Sequence, residues 1–343
     1  MSDGPAFWGG AQSRFTWRDA DRTVIFGSGS DEERADALAR QGIGAFDLLS
    51  TQRALADAGA LRAVAAATHE VASGGVPDAA AALLDEVGDR PLVALGGGRV
   101  IDTTKAIGAV DGQRVVAIPT TLSGAEMTAI HRLPAGAESQ ARGLIRPSLV
   151  LADPELMTSA PEDELRWSAM NALAHGADSL YTPFANPVSR ACALRGAALI
   201  ASSLDQGREQ RDRHDLALGS ILCGYAIDSA LFAIHHVICQ TLVRVLKIPH
   251  AQTNAAILPE VMAFMTERAP EQLAALAEAL GTDSESLSQR IYELGQPPRL
   301  GELGAHHDRL DEALEAIEQR QELGFTPDPP SREHLRAIVE SAW

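Results

Sequence analysis

The first 152 residues carry five short apolar runs, each followed by small, hydroxyl or turn-forming residues and separated by Ala-rich helical stretches. Thr23–Phe26 runs into Gly27-Ser-Gly-Ser30, Ala45–Leu49 into Ser50-Thr51, and Pro91–Leu95 into Gly96-Gly-Gly98. Val115–Ile118 runs into Pro119-Thr-Thr121, and Leu149–Ala152 is the fifth run. Helical patterns fill the gaps, among them Ala60–Ser73 and Asp78–Val87. Strands alternating with helices require crossover connections, and these imply a parallel, doubly wound sheet. After Asp153-Pro154 the strand signals stop. Arg190–Leu204, Leu216–Val245 and Pro270–Leu280 then carry helical apolar spacing. The reading is an α/β domain over 1–155 followed by an all-α domain over 156–343.

The third strand leads into Gly96-Gly-Gly-Arg-Val-Ile-Asp-Thr-Thr-Lys105. Glycines let a backbone approach a ligand closely, and a helix that starts there offers free N–H groups to a phosphate. A tight strand-to-helix turn would use the same glycines; Asp102 and Lys105 narrow the choice, and Arg99 could hold a phosphate or point to solvent. The next strand ends in Pro119-Thr-Thr-Leu-Ser-Gly124. Thr120, Thr121 and Ser123 would lie at the carboxyl edge of the sheet, where open α/β sheets bind ligands. Their hydroxyls could equally cap a helix. Together the two segments suggest a pyrophosphate cradle.

In the helical half, Asn171 and His175 stand four apart on an uninterrupted helical segment and so share a face. His236 and His250 follow downstream. Three imidazoles and an acid would suit a transition metal, but the fourth residue is an amide. The net charge of −17 argues against nucleic-acid and anionic-membrane partners. Cys192, Cys223 and Cys239 have no zinc-finger spacing and fit a reducing cytoplasm. Met1–Phe7 lacks a leader pattern, and no apolar run reaches membrane-spanning length.

In order and content these segments resemble the iron-containing, group III alcohol dehydrogenase family. Gly96–Ile107 resembles its first dinucleotide motif and Pro119–Thr128 its second. Asn171–His175, Leu180–Pro187, Ile234–His236 and Leu246–Ala251 are similar to the maleylacetate reductase branch. The resemblance implies a dehydroquinate synthase-like α/β domain, a helical catalytic domain and a cleft between them for NAD or NADP. It also implies a homodimer and a small-molecule substrate. The family's metal-ligand positions fall on Asn171, His175, His236 and His250, with Asn171 where the wider family has Asp. The branch reduces a carbon–carbon double bond conjugated to a ketone without a required metal, so an essential metal is not expected here.

Three departures from the pattern stand out. Arg99 stands where Ser is usual, Gln240 where His is common, and Val243-Arg244 where the branch has a small pair. His131-Arg132 is a further unusual basic pair. Gln cannot exchange protons near neutral pH, so a relay at residue 240 is lost. Ser50 and Thr51 would approach the adenosine ribose, where no acidic residue supports a strong NAD preference. The expected activity is hydride transfer to or from a small carbonyl, enone or alcohol, with His236, then His250, exchanging the proton. Three other readings stand beside it. One is a secondary-alcohol dehydrogenase of a specialised pathway acting on a larger, even peptide, substrate. Another is an inactive dinucleotide-binding protein. The third is a relative of dehydroquinate synthase or glycerol-1-phosphate dehydrogenase.

Overall fold

The computed structural model describes residues 15–343; the leader reading of Met1–Phe7 lies outside them. The first half holds β1 (Phe15–Asp19), β2 (Arg22–Phe26), α1 (Asp31–Arg40), β3 (Asp47–Ser50), α2 (Gln52–Leu55) and α3 (Gly59–Val64). These are followed by β4 (Ala67–Glu70), α4 (Val76–Leu83), β5 (Leu92–Gly96), α5 (Gly98–Asp111), β6 (Val115–Pro119) and β7 (Leu149–Ala152). The strands form one seven-stranded sheet in the order β1-β2-β7-β6-β5-β3-β4. All neighbouring pairs are parallel except β1 with β2.

The strand order explains where a ligand can sit. From β3 the chain moves outward to β4, then crosses back to β5 on the other side of β3 and continues to β6 and β7. The reversal opens a crevice at the carboxyl ends of β3 and β5, the switch point of a doubly wound sheet. The five expected strands are β2, β3, β5, β6 and β7. Four of them, β3, β5, β6 and β7, are buried along their whole length, as strands covered on both faces should be.

Two strands escaped the sequence reading. β1 is a short antiparallel edge strand. β4, Ala-Thr-His-Glu, alternates half-buried and exposed residues inside a stretch read as helical. An edge strand needs only one apolar face, so its signal is weak.

Beyond β7 the described residues form helices and 3₁₀ turns: α6 (Pro154–Met157), α7 (Glu162–Ser179), α8 (Pro187–Asp205), α9 (Arg213–Ala230), α10 (Ile234–Leu246) and α11 (His250–Met265). α12 (Pro270–Ala279), α13 (Leu287–Gly295), α14 (Leu310–Glu318) and α15 (Arg332–Ser341) complete them. α7 is buried from Ser168 to Ser179 and lies at the centre of this core. The same core takes in Phe26, Leu122, Met127 and Val150 from the sheet side. The expected long helix Leu216–Val245 is in fact two, α9 and α10, bent by 99° at Leu231–Ala233. No single helix among the described residues is long and apolar enough to cross a membrane.

Candidate active site

The two motif loops meet at the crevice. α5 begins at Gly98 with Gly97 as its N-cap, and no side chain caps it. Its first backbone bond runs from Ile101 N–H to Gly97 C=O, 3.2 Å. The N–H groups of the preceding turn therefore remain for a ligand. A Cβ on Gly97 would come within 3.0 Å of Thr121, and one on Gly98 within 3.0 Å of Ser123. Small residues are thus needed where the loops touch, and the same bareness leaves room for a pyrophosphate. Gly96 is needed for packing, since a Cβ there would lie 2.7 Å from Val100.

Other residues of the expected cradle have different tasks. Lys105 is fully buried and donates to the carbonyls of Ala125, Thr128 and Ile130, with Asp102 at 2.7 Å. It ties the second motif to α5. Ser50 does not face the crevice; it is fully buried and donates its hydroxyl to Leu95 C=O, 2.6 Å. Thr51 caps α2, accepting from Ala54 N–H. Thr120, Thr121 and Ser123 are partly open. Arg99 donates weakly to Val71 C=O at 3.4 Å, beyond the end of β4.

α7 carries the centre of the site. Asn171, His175 and Asp178 follow one helical face. Asn171 donates to Ser123 C=O, 3.3 Å, joining α7 to the second motif. Gly124 passes directly over His175. Its φ is +72°, and a Cβ there would lie 2.8 Å from the His175 ring. The His175 and His236 rings stack with centroids 4.9 Å apart and an interplanar angle of 19°.

Asp178, missed by the sequence reading, organises α10. One carboxylate oxygen accepts from the Nδ1 of His236 at 2.9 Å and from the backbone N–H groups of Ala233 and His236. The other accepts from Tyr181 Oη at 2.5 Å. Burial alone would raise its pKa. The His236 bond, His235 and Tyr181 outweigh burial and hold it down at about 2. The signal was available: Asp178 is three residues after His175, on the same helical stripe as Asn171. The bend before α10 places Leu231 at φ 59°, ψ −168°, a region nearly reserved for glycine.

The result is a cluster of unmet lone pairs. Asn171 Oδ1, His175 Nδ1 and His236 Nε2 are buried without hydrogen-bond partners. Buried polar atoms without partners are costly, so these fit a polar ligand. Burial, then the charges of His236 and His250, push the His175 pKa well down. His250 heads α11, open to water but walled by protein. Burial and His236 lower its pKa to about 4. His235 belongs to the core, bonded to Asn254 and beside Cys239, with burial lowering its pKa to about 3.

The departures resolve as follows. Gln240 is partly open and accepts from Arg320 Nη2 at 3.1 Å. That guanidinium is also forked onto Glu322 and lies 5.9 Å from the Phe232 ring, itself 5.9 Å from His236. Arg320 is thus the cation beside the histidine helix. Arg244, expected near the pocket, is exposed two turns past His236, and Val243 is half-buried. His131 is buried between Ile145 N–H and Arg132 C=O. The basic pair therefore closes a loop and does not line the site.

The "Iron-containing alcohol dehydrogenase" family matches residues 32–161, and the "Fe-containing alcohol dehydrogenase family, C-terminal" matches residues 167–343. The chain is 33% identical to the maleylacetate reductase of Pseudomonas sp. strain P51, covering 93% of this chain and 95% of that one. It is 30% identical to the maleylacetate reductase of Rhizobium sp. strain MTP-10005, covering 96% and 97%. The crystal structure of that Rhizobium enzyme superposes with a TM-score of 0.81 at 29% identity, over 97% of this chain and 99% of that one. An iron-containing alcohol dehydrogenase from Corynebacterium glutamicum also gives 0.81, at 31% identity over 93% and 94%. The chain is an oxidoreductase that belongs to the iron-containing alcohol dehydrogenase family, on its maleylacetate reductase branch.

Proposed function

We propose that this protein is an NAD(P)H-dependent reductase of a small substrate bearing a carbonyl or a conjugated double bond, working without an essential metal. The observation that carries the reading is the meeting of the glycine-loop cradle with the Asn171, His175 and His236 lone pairs, joined by Asn171 on Ser123 and by Gly124 on His175. The relatives named maleylacetate reductase support it.

Gly97, Gly98 and the first turn of α5 would hold the pyrophosphate, with Thr120, Thr121 and Ser123 beside it. The bound dinucleotide supplies a hydride. Ionised Asp178 fixes hydrogen on His236 Nδ1 and leaves Nε2 as the atom that exchanges a proton with substrate. His175, held neutral by burial, presents Nδ1 to the substrate's polar group. His250 lies at the open edge as a second proton carrier. Gln240 holds Arg320 in place and takes no part in proton exchange.

Asn171, His175 and His236 could together hold a divalent cation, which would polarise a substrate oxygen. All three donors are neutral, and the carboxylate nearest them, Asp178, already accepts from His236, Tyr181 and backbone N–H groups. An uncharged donor set favours weak retention. The working division remains near residue 155, and the setting we propose is a cytoplasmic homodimer.

Titration with NADH and NADPH, followed by fluorescence, tests the reading. Saturable binding of at least one is expected; binding of neither overturns it. An alcohol panel with NAD(P)+, run beside maleylacetate with NAD(P)H, separates a reductase from an alcohol dehydrogenase.

A further inference from the structure

The crevice has a second half beyond the glycine loop. A cavity of about 410 Å³ opens beside Thr120 and Thr121 and extends to Thr51, Arg53, Leu156 and Ala160. Small-ligand pockets span roughly 300–1,000 Å³. Thr121 also closes on Gly97, so the cavity and the cradle are contiguous. Given the dinucleotide reading above, on which this inference rests, a pyrophosphate on Gly97 and Gly98 places the adenosine half in this cavity.

At a switch point, the end of the strand beside the glycine loop meets the adenosine ribose. A carboxylate there takes the ribose hydroxyls and selects NAD, whereas a nearby guanidinium takes the 2′-phosphate of NADP. β3 ends at Ser50, Thr51 follows it, and neither is acidic. Arg53 follows in α2, lines the cavity and is exposed. Among the described residues its side chain makes no hydrogen bond or ion pair.

Two of the four other charged groups of the cavity are committed. Arg34 is held by Asp153 at 2.7 Å and by Gly29 C=O. Asp31 accepts from the N–H groups of Ala60 and Leu61. Asp57 and Glu164 are exposed and would oppose a phosphate if they faced the ribose. Placement separates them: Arg53 is three residues past the end of the strand that meets the ribose, whereas Asp57 follows the end of α2 and Glu164 lies on α7.

We propose that Arg53 binds the 2′-phosphate of NADP(H), so that this chain prefers the phosphorylated dinucleotide. A guanidinium suits the group because its planar fork can give two parallel hydrogen bonds to phosphate oxygens.

The test is calorimetric titration of the full chain with 2′,5′-ADP and with 5′-AMP, which differ only in that phosphate. The unaltered protein is expected to bind 2′,5′-ADP about tenfold more tightly or better, the factor one charge-assisted contact supplies. Arg53→Gln is expected to remove most of that preference. α2 is a four-residue surface helix, so the substitution leaves the core intact. 5′-AMP binding as tight as 2′,5′-ADP overturns the proposal and gives the ribose to Asp57 or Glu164. A preference that survives Arg53→Gln overturns the assignment to Arg53. Saturable binding of neither nucleotide strikes instead at the dinucleotide reading of the crevice.

Discussion

Asn171 decides the chemistry at the residue scale. Its amide donates to Ser123 C=O, a bond a carboxylate could not make. Asn171→Asp would set a negative oxygen against that carbonyl while offering a charged donor beside His175 and His236. We expect the variant to co-purify with more zinc or iron on metal analysis. We also expect it to lose about 1–3 kcal/mol of stability in urea melts without metal, the cost of an unmet buried polar group. Unchanged metal content would remove the reason given for weak retention. His236 is the other decisive residue. His236→Ala should lower kcat by about 10²–10⁴-fold, the usual worth of a positioned acid–base group. Dinucleotide binding should be retained, because the cradle lies on other elements. A loss confined to KM would take the proton step away from His236.

At the element scale, the site depends on how closely α7 approaches the second motif. Gly124 makes that approach possible, with φ of +72° and no room for a Cβ beside His175. Gly124→Ala is expected to cost about 1–2 kcal/mol from backbone strain alone, with further loss from displaced His175. A fall in the urea midpoint together with a fall in kcat would show both. The inner strands were legible because their short apolar runs lead into glycine, hydroxyl or turn-forming residues. β1 and β4 were not: both are short edge strands, and β4 alternates half-buried with exposed residues. The α9–α10 break was hidden because Leu231 adopts a glycine-like conformation without being glycine. Asn171, His175, His236 and His250 were legible from helical spacing and resemblance. The roles of Ser50, Gln240 and His131 were not, because each depends on a partner distant in sequence: Leu95, Arg320 and Ile145. Arg320 itself carried no motif and emerged only from the fold.

At the scale of the whole molecule, the second-motif loop is held from both halves. Arg22 on β2 donates to Met127 C=O, Lys105 on α5 to three carbonyls, and Asp228 on α9 accepts from Ala129 N–H. Glu126 lies in this junction, fully buried, with neither carboxyl oxygen hydrogen-bonded. Burial pushes its pKa up to about 7 against the pull of Lys105 and Arg22. The folded protein therefore keeps a proton that the unfolded chain releases near its ordinary value of 4.5. Stability from this group is full below pH 4.5 and is lost as pH rises through about 7. Glu126→Gln, which cannot ionise, should thus gain stability relative to the unaltered protein between pH 5 and pH 8 in paired urea melts. An equal difference at both values would mean that Glu126 does not titrate in that window.

The central claim is hydride transfer in the cleft between sheet and helices, with the histidine cluster acting without an essential metal. Its most direct test is the oxidation of NADPH and NADH by maleylacetate, measured on protein treated with a strong chelator and checked for residual metal. The account predicts saturable turnover that chelation leaves in place and that His236→Ala lowers by about 10²–10⁴-fold. Turnover that vanishes on chelation and returns with iron or zinc would contradict it.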